Sequence, residues 1–139
     1  MPYSKELIES LKEHEGFSPK VYTDSLGFLT IGYGQLVSEL SVSKDTAVEW
    51  MLDALDRKVR ELETYLCFRE VKDPVRRDVL IEMAYNLGVA GLMKFRKMWA
   101  AIEHKDWDTA AKEMTNSRWA EQVRGRANTL AVRMRTGRY

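Results

Sequence analysis

Residues 15–34 of this chain read EGFSPKVYTDSLGFLTIGYG, and this stretch decides the fold of the N-terminal part. Val21–Thr23 and Phe28–Ile31 are short runs rich in β-branched and aromatic residues, which favour strands. Asp24–Gly27 lies between them and has the residues of a tight turn, while Gly32–Gly34 closes the second run. The stretch therefore predicts a β-hairpin, which is the one clear strand region of the sequence.

Helical periodicity dominates the chain on both sides of the hairpin. Ser4 is a suitable N-cap for a helix over residues 4–14. Ser43 likewise begins a long amphipathic helix over residues 44–66, and Pro74 stands at the first position of another helix. The spacing of apolar residues predicts later helices over 74–87, 92–104, 106–114 and 124–134.

These elements predict an α+β fold that is mostly α-helical. A small lobe with the hairpin (15–43) precedes a connecting helix (44–66) and a larger helical lobe (67–139). We expect the helix over residues 4–14 to pack near the helical lobe. A single domain of 139 residues is long enough to bury a core without disulfides. A cleft between the lobes is the expected binding site.

The scarcity of cysteine and histidine excludes several kinds of site. Cys67 is the only cysteine, so no internal disulfide can form. The chain contains two histidines, and we expect neither a metal site nor a cofactor.

No apolar run approaches the ~18 residues that a membrane span needs, and the N-terminus lacks a signal-peptide pattern. We therefore expect synthesis in the cytoplasm and no stable membrane insertion.

The charges are unevenly distributed, although the net charge is only +1. Residues 116–139 contain six arginines and one glutamate, whereas residues 1–63 contain seven Lys or Arg and twelve Asp or Glu. A basic segment can bind an acidic polymer such as nucleic acid. However, these arginines match no nucleic-acid-reading motif and acidic residues elsewhere balance them. A solvated helix face is the preferred interpretation, and we expect no nucleic-acid partner.

Three residues around the hairpin have the chemistry of a hydrolytic site. Glu15 extends the apolar face of the first helix to its C-terminus, and both features favour the neutral form of a carboxyl group. Asp24 follows nine positions later in a polar turn, which favours the ionised form, and Thr30 follows six positions after Asp24. Glycoside hydrolysis needs a proton donor and an ionised carboxylate, and a hydroxyl can help to hold water. Taken alone, the spacing also fits ordinary solvated acids.

Motifs along nearly the whole chain resemble one family. Glu15-Gly16 is followed by VYTDSLG at 21–27 and TIGYG at 30–34, and later motifs are MAYNLG at 83–88, WDTAA at 107–111, SRW at 117–119 and RTG at 135–137. Together, and in this order, they resemble the tailed-phage lysozymes, the muramidases of glycoside hydrolase family 24. In that family a Glu, an Asp nine positions later and a Thr six positions after the Asp form the site.

The resemblance implies hydrolysis of the β-1,4 bond between N-acetylmuramic acid and N-acetylglucosamine, without metal or cofactor. It assigns Glu15, Asp24 and Thr30 to the catalytic site, with Glu15 as the general acid and Asp24 as the ionised partner. It also implies that Leu36 contacts the glycan and that Tyr85 occupies an aromatic position of the cleft. The two-lobed fold that patterning predicts is the fold of this family.

Two further positions bear on the site by resemblance. Family members place an arginine near the catalytic glutamate, and Arg126 matches that position, where it can pair with Glu15 and oppose its neutral form. The family usually has a histidine after the Gly-x-Gly of the hairpin, and here Gln35 stands instead. Because that histidine is mainly structural, the change affects the expected local stability more than the chemistry.

The resemblance also implies partners and a location. We expect a monomer that is made in the host cytoplasm, acts on bacterial peptidoglycan in the periplasm and depends on a separate membrane protein for export. A tail-associated enzyme that opens the wall during entry is an alternative to a free lytic enzyme. A non-catalytic wall-binding module with the same fold is a second class. The intact trio Glu15, Asp24 and Thr30 argues against that module.

Overall fold

The computed structural model describes residues 2–139 and confirms the α+β class with mostly helical content. Three antiparallel strands follow the first helix and form one sheet in the order β1 (Ser18–Thr23), β2 (Leu29–Gly32), β3 (Gln35–Leu36). The α-helices in chain order are α1 (Lys5–Glu15), α2 (Lys44–Leu62), α3 (Leu66–Arg69), α4 (Pro74–Leu87), α5 (Val89–Met93), α6 (Arg96–Glu103), α7 (Trp107–Thr115), α8 (Arg118–Gln122) and α9 (Arg124–Thr136). A short 3₁₀ turn covers Val37–Glu39.

The chain divides into two units, the first ending at Ala47 and the second beginning at Val48. Within residues 2–47, Thr30 is the only buried residue. The second unit has an extensive core, and its largest fully buried side chains are Leu62, Phe68, Val79, Leu80, Met83, Leu92, Met98, Met114, Leu130 and Met134. Full burial of one such side chain contributes roughly 1.5–3 kcal/mol. Packing therefore stabilises the helical unit far more than the sheet unit.

The sheet unit confirms the predicted hairpin and adds a third strand. Tyr22 on β1 and Leu36 on β3 are the Cα partners of Thr30 on β2. Thr30 is thus the central residue of the sheet, which explains its burial. The strand β3 has only two residues, too short for any periodic pattern to be visible in the sequence.

Side-chain caps set several helix starts where the sequence predicts them. The Oγ of Ser4 accepts a hydrogen bond from the Leu7 N–H at 3.1 Å, and the Oδ1 of Asp73 accepts one from the Val75 N–H, also at 3.1 Å. At the other end of α4, Gly88 has φ +81°, a conformation that favours glycine. These interactions satisfy backbone groups that a helix end leaves unpaired.

The long helix α2 ends at Leu62, whereas the sequence predicts helix to about residue 66. Arg77 binds the Glu63 carboxylate at 2.7 Å and lies 4.3 Å from the centre of the Phe68 ring. Arg69 also donates a hydrogen bond to the Glu63 carbonyl oxygen at 2.7 Å. These contacts engage Glu63 directly after the end of α2, and Phe68 a few residues later is fully buried.

The predicted helix over residues 92–104 is split into α5 and α6. Phe95 has ψ +61°, outside the helical range, and precedes the first residue of α6. Its ring packs edge-on against Trp119 of α8, with 6.1 Å between ring centres. Tertiary packing of Phe95 thus accompanies the break. The helix α8 has only five residues, and the spacing of apolar residues did not predict it, although the SRW motif at 117–119 resembles a later helix of the family. Within residues 2–139 no helix has the length and apolarity needed to cross a bilayer.

Candidate active site

Glu15 is the last residue of α1, and its carboxylate lies against the turn between β2 and β3. A Cβ atom added at Gly34 would lie 2.8 Å from Cδ of Glu15, which is closer than real side chains approach. The Glu15 side chain therefore packs on the backbone of Gly34, the one residue of the turn that has no side chain. Gly34 also has φ +77°, which favours glycine for a second reason.

No cation of α1 forms an ion pair with the Glu15 carboxylate. The N–H of Gly16 donates to the Lys12 carbonyl oxygen at 3.0 Å and ends the helix directly after Glu15. Lys12 is instead bound to Glu9 at 3.1 Å. Hydrogen bonding with Glu9 raises the pKa of Lys12, so the lysine is cationic and directed at another partner.

Asp24 is held in the turn between β1 and β2 by backbone donors. Its Oδ1 accepts hydrogen bonds from the Leu26 N–H at 2.9 Å and from the Phe28 N–H at 2.8 Å. Its own N–H donates to the Phe28 carbonyl oxygen at 2.8 Å. This local network orients the carboxyl group, because Asp side chains form such turns with the backbone two residues on.

Thr30 lies on the central strand β2 and is 2% exposed. Its Oγ1 donates a hydrogen bond to the Phe28 carbonyl oxygen at 3.0 Å, the same carbonyl that receives the Asp24 N–H. Thr30 is thus linked to the Asp24 turn, while its oxygen lone pairs remain as acceptors.

The sheet places the two acids at opposite ends of the first hairpin. Ser18 pairs with Gly32 at the end near Glu15, and Thr23 pairs with Leu29 at the end next to Asp24. The strand from Leu29 to Gly32 spans roughly 10 Å at about 3.3 Å per residue. The first unit therefore carries Glu15, Asp24 and Thr30 on or beside one small sheet, with the two acids near opposite ends of its first hairpin.

The remaining predicted site residues lie in different places. Leu36 is half-buried on β3 and is the direct partner of Thr30. Tyr85 is on α4 in the second unit and is 43% exposed. Arg126 on α9 donates a hydrogen bond from Nε to Glu82 of α4 at 2.9 Å. The pairing with Glu82 was not anticipated, and the predicted role of Arg126 beside the catalytic glutamate stays a prediction.

The sequence did not predict the contacts that Gly34 and Gln35 make at the β2–β3 turn. The Oε1 of Gln35 accepts a hydrogen bond from the Tyr33 N–H at 2.8 Å and also lies against the bare Cα of Gly32. Gln35 therefore supplies a side-chain hydrogen bond to this turn. The contact between Gly34 and Glu15 was not predicted at all, although the Gly-x-Gly pattern is a signal for such close approaches.

Glycoside hydrolase sites typically contain two carboxyl groups, and the sheet unit carries Glu15 and Asp24. Within residues 2–139, no group of three or more His, Cys, Asp or Glu side chains is arranged to hold a metal ion. The chain belongs to the phage lysozyme family, whose sequence model matches residues 12–136. It is therefore a glycoside hydrolase of the lysozyme type, a type that acts on peptidoglycan.

Curated relatives include both small lysozymes and a larger phage protein. The chain is 25% identical over 159 aligned positions to probable T4-type lysozyme 1 of Dictyostelium discoideum, covering 93% of each chain. Probable T4-type lysozyme 2 of the same organism is 26% identical over 161 positions, covering 94% of each. The pre-baseplate central spike protein Gp5 of Enterobacteria phage T4 is 29% identical over 160 positions, which cover 94% of this chain and 28% of that protein.

Proposed function

We propose that this protein cleaves the β-1,4 bond between N-acetylmuramic acid and N-acetylglucosamine in peptidoglycan. Family membership supports the class of reaction, and one contact supports the assignment of residues. The Glu15 carboxylate is packed on the Gly34 backbone of the sheet that also carries Asp24 and Thr30. The proposed acid and the proposed carboxylate are consequently carried by one small sheet unit, and cleavage of a glycosidic bond requires two such groups beside the bond.

Glu15 is the proposed general acid. It transfers its proton to the glycosidic oxygen while the bond between that oxygen and the anomeric carbon breaks. The carboxylate packs on the Gly34 backbone, and this contact favours one orientation of a side chain that is otherwise exposed to solvent.

Asp24 is the proposed ionised partner. Its carboxylate stabilises the positive charge that develops at the anomeric carbon or positions the attacking water. The two N–H donors from Leu26 and Phe28 bind Oδ1 only, so Oδ2 is free of these two bonds and available for this task. Thr30 is the proposed acceptor for the water, since its own proton is already donated to Phe28.

The contacts with the sugar chain are proposals that rest on resemblance. Leu36 offers a partly exposed apolar side chain beside Thr30, and Tyr85 offers an exposed ring that can pack on a sugar face. Arg126 is proposed to support Glu15, in addition to its observed bond with Glu82.

We also propose the division into a small lobe (15–43), a connecting helix and a larger helical lobe, with helix 4–14 packed near the helical lobe.

We further propose that the protein is a monomer that is made in the host cytoplasm and acts on the wall in the periplasm. Export then depends on a separate membrane protein. A role in phage-induced host cell lysis fits the family, while similarity to a spike protein keeps a tail-associated role as the alternative.

The test compares the wild type with Glu15→Gln, using turbidity loss of Gram-negative cells whose outer membrane has been removed. Glutamine keeps the size of the side chain but cannot donate the required proton, so we expect at least about a 100-fold loss of rate. Glu13→Gln is the matched control, because Glu13 is an exposed glutamate on the same helix. The control should clear cells at the wild-type rate.

The products identify the bond. Borohydride reduction of the released fragments should convert N-acetylmuramic acid at the new reducing ends, whereas cleavage of the other glycosidic bond would mark N-acetylglucosamine. Equal clearing by wild type and Glu15→Gln would show that Glu15 is not the acid. Folded wild-type protein that binds walls without clearing them would favour the non-catalytic module.

A further inference from the structure

The helical unit contains a cavity of about 890 Å³ that is separate in sequence from the residues of the proposed hydrolysis. Its walls come from α3, the loop after α3, one face of α6 and the start of α7. The helix α3, which forms one wall, has only four residues. Its volume falls in the range of roughly 300–1,000 Å³ that small-molecule sites occupy.

The interior of the cavity is apolar and partly aromatic. Val71, Trp99 and Ile102 form buried parts of its lining, and the indole N–H of Trp99 is already bound to the Leu92 carbonyl oxygen at 3.1 Å. Burial raises the pKa of the Cys67 thiol, which therefore contributes a neutral, weakly polar surface at pH 7. Such a lining favours a flat apolar body over a sugar or a free ion.

Outside one ion pair, the polar rim of the cavity carries more cations than anions. Arg76 is fully engaged, since its guanidinium binds Asp73 at 3.0 Å, donates to two carbonyl oxygens of α9 and lies 4.1 Å from the centre of the Trp107 ring. The lining groups outside this pair are Lys72, Arg96 and Lys105 as cations and Glu70 and Glu103 as anions. The remaining charge favours a ligand with one negative group.

Lys105 occupies a position where glycine is the usual residue. Its φ is +54°, and it is the only residue other than glycine with positive φ among residues 2–139. The Lys105 N–H donates to the Ile102 carbonyl oxygen and the Asp106 N–H to that of Ala101, both at 2.9 Å, which is the Schellman ending of a helix. A lysine in this conformation is strained, and strained residues cluster at binding sites.

We propose that this cavity binds a small amphipathic anion, with an aromatic or alicyclic body against the lining and an acidic group near Lys105. The proposal is independent of the hydrolytic activity. It rests on the cavity volume, the two indoles, the excess of cations on the rim and the lysine held in a glycine-type conformation.

Two dyes of the same shape test the proposal on the intact protein. The anionic probe is 8-anilinonaphthalene-1-sulfonate, and N-phenyl-1-naphthylamine has the same aromatic body without the charge. We expect one site per chain for the sulfonate and weaker binding of the neutral dye. In a ¹H–¹⁵N spectrum of the wild type, the dye should shift signals of residues 66–73 and 96–107.

Two variants and a control assign the binding. Ala100→Trp fills the cavity from an exposed position on α6, and we expect at least about tenfold weaker binding of both dyes. Ala90→Trp, at an exposed alanine of α5, should bind both dyes like the wild type. Lys105→Gly should weaken the sulfonate several-fold, leave the neutral dye unchanged and raise the urea midpoint by relieving strain.

Wild-type affinity of Ala100→Trp for both dyes, or shifts confined to signals of residues 17–36, would show that the cavity is not the site. Unchanged sulfonate binding by Lys105→Gly would show that the proposed anionic class is wrong. Should Ala100→Trp fail to fold, the map of shifted signals on the wild type decides the question alone.

Discussion

The carboxylate of Glu15 and the backbone of Gly34 are in direct contact, although 18 residues separate them in the chain. This contact joins the end of α1 to the turn between β2 and β3. A side chain at position 34 would force the Glu15 carboxylate to move. The contact also makes the orientation of the proposed acid depend on the sheet and not on α1 alone.

Gly34→Ala should therefore reduce the rate of hydrolysis by at least about tenfold. The added methyl group would collide with the Glu15 carboxylate and push it out of its position. The positive φ adds a loss of stability of about 1–2 kcal/mol. Initial rates of turbidity loss and urea unfolding measure the two effects. Gly88→Ala is the matched control, since Gly88 also has positive φ but a Cβ there meets no atom within 4 Å. An active Gly34→Ala enzyme would contradict the importance of this contact.

Asp24→Asn and Asp24→Ala separate the charge of Asp24 from its structural role. Asparagine retains an Oδ1 that can accept from Leu26 and Phe28, so the turn should persist while the rate falls at least about 100-fold. Alanine loses these bonds as well, and we expect a further loss of about 1–2 kcal/mol of stability. Comparison of rates with unfolding midpoints checks this, and equal stability of the two variants would count against the structural role.

Arg76→Ala should destabilise the helical unit by roughly 2–4 kcal/mol, because the arginine ties α4 to the end of α9 and two carbonyl oxygens lose their donor. Its Nε binds the Met134 carbonyl oxygen at 2.6 Å, and the side chain is only 14% exposed. Denaturant unfolding gives the free energy directly. Arg124→Ala, at an exposed arginine of α9, should change it by less than about 0.5 kcal/mol.

Alkylation of Cys67 should be slow in the folded protein and should accelerate with pH. Burial raises the pKa of the thiol, so less thiolate is present at a given pH than in an unfolded chain. Because folding favours the neutral thiol, the same shift stabilises the folded protein. This stabilisation is fully present below the ordinary pKa of cysteine and is lost as the pH rises through the pKa of Cys67 in the folded protein. Iodoacetamide labelling from pH 7 to 10, with and without urea, measures both, and equal rates in the two states would refute the burial argument.

Local signals predicted a large part of the fold. Ser4, Asp73 and Gly88 act within one helical turn, and each stands where the corresponding helix begins or ends in the structure. Asp24–Gly27 likewise forms a turn from its own hydrogen bonds. The motif around Glu15, Asp24 and Thr30 indicated the lysozyme family, which the family match then confirmed. The roles of these three residues remain predictions.

By itself, then, the sequence determined the hairpin, most helix ends and the family, because caps, turn residues and periodicity act between residues close in the chain. Only the tertiary structure decided where α2 stops, where Phe95 breaks a helix and which residues surround Arg76. It also created the Glu15–Gly34 contact and the cavity beside Trp99. These features depend on packing between segments that are distant in sequence, and no local pattern encodes which distant surfaces will meet.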